Sequence, residues 1–328
     1  MNNESICLLE AVNLALASEM EKDKDVVMLG EDIGTNGGVF RATAGLKERF
    51  GSRRVMDTPL AEAMIGGLAV GMAAQGLKPV AEIQFMGFIF PALEHLICHA
   101  ARLRHRTRGR LHCPMVLRAP FGGGIHAPEH HSESTEALLA HIPGLRVVIP
   151  SSPARAYGLL LAAIRSPDPV VFLEPKRIYR SNKQPVKDNG IALPLDSCFT
   201  LREGTDITLV SWGAMIRETL EAADLLATEQ ISCEVIDVAT LSPLDMNTIL
   251  ASVGKTGRCV IVHEAARNGG VGAEIVANLA EKSLLDLQAP PLRVTGYDTV
   301  MPYFRLENHY MPNTADIVDA VKQSLEFV

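Results

Sequence analysis

Three short stretches carry the residues with the richest chemical options. Asp57-Thr58-Pro59-Leu60-Ala61-Glu62 runs straight into Ala63-Met64-Ile65-Gly66-Gly67-Leu68-Ala69-Val70-Gly71. Pro59 holds Thr58 extended and predicts a helix start just after it, so Glu62 falls in the first turn of an apolar, small-residue helix that must be buried. A carboxylate there has two readings. It complements the helix dipole, the commoner role on spacing alone, or it is a partly desolvated acid whose proton serves catalysis. The second stretch, Glu82-Ile83-Gln84-Phe85-Met86-Gly87-Phe88-Ile89-Phe90, ends a strand in an aromatic turn. Its phenylalanines fill a core or offer a platform to a planar heterocycle beyond the carboxyl end of a sheet. The third stretch, Phe121-Gly122-Gly123-Gly124-Ile125-His126-Ala127-Pro128-Glu129-His130-His131-Ser132-Glu133, follows a strand. Its glycines permit close backbone approach or a mobile cover, and their spacing matches no Walker or dinucleotide fingerprint. Glu129, His130 and His131 are adjacent on a loop, which suits proton transfer or substrate contact better than a metal. His95 and His99 lack the Glu of an H-E-x-x-H motif and read as a helix surface or subunit contact. Val262-His263-Glu264 reads as a solvated pair closing a strand.

Short β-branched runs alternating with helical patterns supply the elements that hold these residues. In the first half the strands are Val26–Leu29, Val80–Ile83, Met115–Arg118, Arg146–Ile149 and Val170–Glu174. The helices between them are Ile6–Met20, Ala61–Ala74, Phe90–Leu103, Glu133–His141 and Pro153–Ile164. Apolar strands flanked by helices predict a largely parallel sheet covered on both faces. Periodicity fades over 181–204, an irregular connector with room for one short strand. A second set follows: strands Ile207–Ser211, Cys233–Val238, Cys259–His263 and Leu292–Gly296, with helices Ile216–Ala227, Leu244–Val253, Gly272–Leu285 and Ile317–Leu325. The fold class is α/β in two domains, each a largely parallel sheet covered by helices. The first spans 1–185, a connector spans 186–204, and the second spans 205–328.

Composition agrees. The chain's 328 residues suit two domains at about 150 residues each. A hydrophobic content of 47% with 21% charge excludes disorder. A net charge of −7 speaks against a nucleic-acid partner. Cys7, Cys98, Cys113, Cys198, Cys233 and Cys259 form no C-x-x-C pair and read as scattered buried thiols in a reducing compartment. The N-terminal stretch reads as a first amphipathic helix rather than a targeting signal. The apolar run Ala63–Leu77 is too short to span a bilayer. No membrane partner and a cytoplasmic location are expected.

Ordered motifs along nearly the whole chain resemble one family. They are LGEDIGTNGGVF (29–40), DTPLAEAMIGGLAVG, PVAEIQF, HSES (131–134), PGLRVVIPSSP (143–153), DPVVFLEPKRIYR (168–180), SVGKTGRCVIVHEA (252–265), APPLRV and DTVMP (289–302). The chain resembles the beta subunit of the thiamine diphosphate-dependent decarboxylase component of 2-oxo acid dehydrogenase complexes, in the transketolase-like superfamily. The resemblance implies that Glu62 is the carboxylate that hydrogen-bonds the pyrimidine ring nitrogen of the cofactor and supports its activation, which reverses the weighting from spacing alone. Leu60, Gln84 and Phe88 match pyrimidine-pocket positions, Phe88 as the stacking ring. His131 matches the active-site histidine near the substrate and the incoming lipoyl group. Glu133 stands where the family usually has Gln, and a carboxylate close to His131 raises its pKa. The family also binds a structural potassium through main-chain oxygens, here around Met115, Ala163, Ile164, Ser166 and Asp168, with Ser166 where Asp is usual.

No G-D-G with a downstream Asn, the superfamily's magnesium-diphosphate motif, occurs in the chain. A pyrophosphate needs a divalent cation and oriented donors. The resemblance therefore implies an alpha subunit that holds magnesium and the other half of the cofactor site, in an alpha2-beta2 heterotetramer. The second domain resembles the transketolase C-terminal domain and is expected to hold the beta–beta contact and dock the lipoyl acyltransferase component, with the end Ser324–Val328 involved. The implied reaction is oxidative decarboxylation of a 2-oxo acid with acyl transfer to lipoyl groups, feeding acetyl-CoA synthesis. Pyruvate leads, on the GGGIHAPEHHSES loop; a branched-chain 2-oxo acid is the alternative, on FLEPKRIYR and Gln84. A non-catalytic interaction subunit and a self-sufficient homodimeric thiamine enzyme are the rival classes.

Overall fold

The computed structural model describes residues 5–327. They form two units: residues up to Phe121 together with Leu138–Leu195, and Gly122–Ala137 together with Asp196 onward.

In the first unit α1 (Leu8–Lys22) precedes β1 (Val26–Glu31), β2 (Val55–Thr58), α2 (Glu62–Ala74), β3 (Lys78–Glu82), β4 (Val116–Phe121), β5 (Arg146–Val148), α3 (Pro153–Arg165) and β6 (Val170–Pro175). These strands lie in the order β5-β6-β4-β3-β1-β2 and every pairing is parallel. All six residues of β4 and of β6 are buried, charged Arg118 and Glu174 included, as strands covered on both faces require. Helix α1 packs on α3. Ser152 caps α3 by accepting from the Arg155 N–H at 3.4 Å, and Pro153 opens its first turn.

One strand here is additional to those expected, and one expected helix differs. Strand β2 was not foreseen, because Val-Met-Asp-Thr lacks a β pattern and only Val55 is buried at this sheet edge. The helix expected over Phe90–Leu103 is not continuous: a 3₁₀ turn at Phe90–Ala92 gives way to a π turn at His95–His99 and a second 3₁₀ turn at Ala100–Arg102. The Arg102 Nε donates to the Ile97 carbonyl at 3.0 Å and Arg106 to the Cys98 carbonyl, so side chains satisfy carbonyls of the wide turn.

The second unit contains β7 (Phe199–Arg202), β8 (Ile207–Ser211), α4 (Met215–Thr228), β9 (Cys233–Asp237), α5 (Met246–Thr256), β10 (Cys259–Ala266), α6 (Val271–Lys282), β11 (Leu292–Gly296), α7 (Phe304–Tyr310) and α8 (Thr314–Leu325). The sheet order is β11-β10-β8-β9-β7, parallel except for the antiparallel edge strand β7. Ile207, Leu209, Val235, Val260, Val262, Ile317 and Val321 form its core. The loop Gly122–Ala137 belongs to this unit. The helix expected over Glu133–His141 is shorter, covering Glu136–Ala140.

Of the cysteines, Cys98 is exposed and Cys198 half-buried, so the expectation of buried thiols holds for the other four. All six are free. Among the described residues no helix is long and apolar enough to cross a membrane.

Candidate functional site

The carboxyl ends of three neighbouring parallel strands, β3, β1 and β2, form one edge of the first unit. Ligands of open α/β sheets lodge outside such ends. From β3 the chain delivers half-buried Gln84 and Phe88, the latter packed edge-on against Phe85 at 5.7 Å between ring centres. From β1 it delivers Glu31, and from β2 Leu60 and Glu62. Glu62 is the first residue of α2, as the Pro59 argument predicts, and is half-buried. Leu60 is 72% exposed, unusual for a leucine beside a sheet end. Helix α2 buries Ile65, Gly66, Ala69 and Ala73, while Met64 and Leu68 stay exposed. Met64 and Leu68, four residues apart on α2, and Leu60 just before it are thus exposed apolar side chains.

Glu31 is a member of this edge that residue-by-residue reading missed, although it lies within LGEDIG. Its carboxyl is raised by burial and further by the negative fields of Asp32 and Glu62. Beneath the edge, Asp57 ties β2 to the loop after β1. It accepts from the Gly34 N–H at 2.6 Å and from the Thr35 hydroxyl at 2.9 Å, and pairs with Lys47 at 2.8 Å. Burial works to raise its carboxyl, but these hydrogen bonds outweigh it and bring it down to about 2. An acid, an amide, an aromatic ring and a bulky aliphatic group on one rigid edge suit a flat nitrogen heterocycle.

Deeper in the same unit lies a buried ionic group. The Arg118 guanidinium forks onto Glu174, with Nε to Oε1 at 2.6 Å and Nη2 to Oε2 at 2.9 Å, and its Nη1 reaches Glu82 at 2.9 Å. The Tyr179 hydroxyl donates to Glu174 at 2.6 Å. Burial pushes the Glu82 carboxyl up, Arg118 opposes this, and Glu174 adds to it.

His131 lies in the second unit, at the end of a 3₁₀ turn over Glu129–His131, and is half-buried. Its loop closes on itself through the Gly122 N–H donating to the Glu133 carbonyl at 3.0 Å. The consecutive glycines serve close approach. A Cβ on Gly122 would strike the Glu264 carboxylate, and one on Gly123 would strike Met301. Glu133 is raised by burial, lowered by His130 and raised by Glu129, so the histidine whose charge acts on it is His130.

Behind the loop, Glu136 is fully buried. Burial pushes its carboxyl up to about 8, Glu264 adds to this, and hydrogen bonds from its own backbone and from Trp212 Nε1, at 3.2 Å, pull the other way. His263 stacks on Trp212 at 5.1 Å between ring centres, and burial holds its pKa down to about 4. His263 and Glu264 are therefore interior, not the solvated pair expected, because β10 runs on to Ala266 and carries both into the sheet.

The remaining candidates separate. Around the proposed potassium position, the Ala163 carbonyl accepts from the Ser166 N–H at 3.2 Å and the Met115 carbonyl from the Val170 N–H at 3.0 Å. Ser166 Oγ donates to the Asp168 carbonyl at 2.9 Å, and the Asp168 carboxylate pairs with Arg104 at 2.7 Å. His95 and His99 stack at 5.9 Å on the π turn. Among the described residues no group of three His, Cys, Asp or Glu side chains could hold a metal ion.

Comparison with known proteins gives the family. Residues 4–182 match the pyrimidine binding domain of transketolase and residues 197–317 its C-terminal domain. The pyruvate dehydrogenase E1 component subunit beta of Acholeplasma laidlawii is 52% identical over 97% of each chain. The proteins of that name from Staphylococcus epidermidis and Bacillus subtilis are 48% identical over 98% of each chain. A solved split-gene transketolase, described as an inactive beta4 tetramer, has the same fold, with a TM-score of 0.80 at 23% identity over 99% of each chain. The chain belongs to the transketolase-like family, and within it to the family of pyruvate dehydrogenase E1 component beta subunits.

Proposed function

We propose that this chain is the beta subunit of a thiamine diphosphate-dependent pyruvate dehydrogenase. It supplies the pyrimidine half of the active site and acts only with an alpha subunit, in an alpha2-beta2 assembly. The carrying observation is the edge of the first unit, with Glu62, Leu60, Gln84 and Phe88 set on ends of neighbouring strands, in a chain half identical to E1 beta subunits. Those relatives carry the pyruvate name, which favours pyruvate over a branched-chain 2-oxo acid. Exposed Leu60, Met64 and Leu68 support a partner that covers them.

Bound thiamine diphosphate supplies the electron sink for decarboxylation. Glu62 holds and moves a proton at the pyrimidine ring nitrogen, and its place as the first residue of α2 fixes where that carboxyl sits. Phe88 presents its ring to the heterocycle, Gln84 offers a donor and an acceptor to its polar edge, and Leu60 supports it from beneath. His131 meets the substrate and the incoming lipoyl group, with proton transfer to the acyl acceptor as its task. The alpha subunit holds magnesium and the diphosphate. A structural potassium at Met115, Ala163, Ile164, Ser166 and Asp168 would use second lone pairs, since several of these oxygens already accept hydrogen bonds. The second domain carries the beta–beta contact and docks the lipoyl acyltransferase. Six free thiols accord with a reducing cytoplasm.

The test is Glu62→Gln in the complex reconstituted with its alpha subunit. Pyruvate-dependent acetyl transfer to lipoyl domains is expected to fall by about 10²–10⁴-fold with assembly intact. Unchanged turnover would remove Glu62 from the catalytic role.

A further inference from the structure

The carboxylate of Glu307 is 1% exposed and lies in the middle of α7. A buried carboxylate is costly unless its oxygens are satisfied. Glu307 finds its partners in the His131 loop rather than in its own helix. Oε1 accepts from the Gly124 N–H at 2.7 Å, Oε2 accepts from the His126 N–H at 3.0 Å, and the His126 imidazole Nε2 stands 3.4 Å from Oε2. Both gripped residues have left-handed backbones, with φ of +80° at Gly124 and +58° at His126, so their N–H groups converge on one carboxylate instead of alternating as in a strand. The grip continues on either side. Gly123 packs against Met301 and Met311, which flank α7, and Gly122 against Glu264. Within the loop, the His131 N–H donates to the Pro128 carbonyl at 2.9 Å and the Ser132 N–H to the Glu129 carbonyl at 2.9 Å, so the turn bearing His131 stands on residues just beyond the gripped segment.

We infer that Glu307 is the positioning residue of the acyl-acceptor side of the site. By clamping the Gly124 and His126 amides it fixes the loop from which His131 meets the incoming lipoyl group. The inference rests on the role proposed above for His131. Charge is part of the device. An ionised carboxylate is acceptor-only and takes both N–H groups at once, whereas an amide turns its NH₂ toward one of them. Residues outside the loop thus set the loop's geometry, and a loose catalytic loop costs rate even when every reacting group is present.

The experiment uses the complex reconstituted with the alpha subunit, carrying Glu307→Gln and, separately, Glu307→Asp. Two readouts are taken. Hydrogen exchange is followed at the amides of residues 122–134. Kinetics are followed once with lipoyl domain as acceptor and once with a small artificial oxidant that needs no lipoyl domain. For Glu307→Gln, the Gly124 and His126 amides are expected to exchange at least about tenfold faster, as loss of one charge-assisted hydrogen bond implies. KM for the lipoyl domain is expected to rise about tenfold while kcat with the small oxidant stays within about twofold. Glu307→Asp keeps the charge but falls short of one donor, and should lie between Gln and wild type; it carries the test if the Gln variant does not assemble. Unchanged exchange at both amides would overturn the inference. So would a uniform loss in both assays that follows the loss of thermal stability, the mark of a purely structural role. Wild-type complex inactive toward pyruvate would instead defeat the functional reading, while the exchange readout would still judge Glu307.

Discussion

Each unit buries acidic side chains, and the two solve the same electrostatic problem differently. In the first, Glu82 and Glu174 share the Arg118 guanidinium and Tyr179 adds a hydroxyl. In the second, Glu136 and Glu264 lie together with Trp212 and Ser134 as neutral donors, the Ser134 hydroxyl donating to Glu264 at 3.2 Å. Where a cation is available, a forked guanidinium ties the carboxyls together and links three neighbouring strands of one sheet. In the second unit burial, with the Glu264 charge adding to it, pushes the Glu136 carboxyl up to about 8. Buried carboxyls are thus held by a guanidinium strut in one unit and by neutral donors in the other.

Breaking the strut should have the largest effect. Arg118→Met leaves Glu82 and Glu174 buried without a counter-charge and is expected to cost about 3–5 kcal/mol in chemical denaturation. The titratable cluster makes a subtler prediction. Glu136 is raised in the folded chain, so its contribution is fully present below about pH 4.3 and is lost as pH rises toward about 8, because the unfolded chain releases its proton first. Glu136→Gln should flatten the decline of thermal stability between those limits, whereas Glu174→Gln should leave it in place. His263 works from the acid side. Its pKa is depressed, so the unfolded chain binds a proton between about 6.5 and 4 and stability falls as pH drops through that window. His263→Phe should remove that loss, read as thermal midpoint against pH. Asp57 gives the smallest change. Its depressed carboxyl stabilises above the unfolded value and is lost as pH falls through about 2. After discounting for its partial exposure, Asp57→Asn should cost about 1–2 kcal/mol at neutral pH and nothing at acid pH.

The same contrast explains what was legible in the sequence. Ile207–Ser211 and Leu292–Gly296 are strands over the ranges their patterns predict. Glu62 begins α2 where Pro59 requires. A site built on strand ends and a helix start is written in local signals. Helix α7 is written the other way round, burying Glu307 and Tyr310 while leaving Phe304 and Leu306 exposed, so apolar periodicity could not reveal it. Its acidic residue acts on amides far away in the chain, a relation no window of sequence contains. His263 and Glu264 were misjudged because β10 continues past the residues that looked like its end. The three glycines left two readings open, and the side chains at the missing Cβ positions of Gly122 and Gly123 decide for close approach at those two.

The most direct measurement is calorimetric titration of thiamine diphosphate with magnesium into the purified chain, then into the same chain assembled with its alpha subunit. A chain that presents Glu62, Leu60, Gln84 and Phe88 but has no diphosphate motif should show no saturable binding alone and one cofactor per site in the assembly. Tight, magnesium-dependent binding to the chain by itself would contradict the split site.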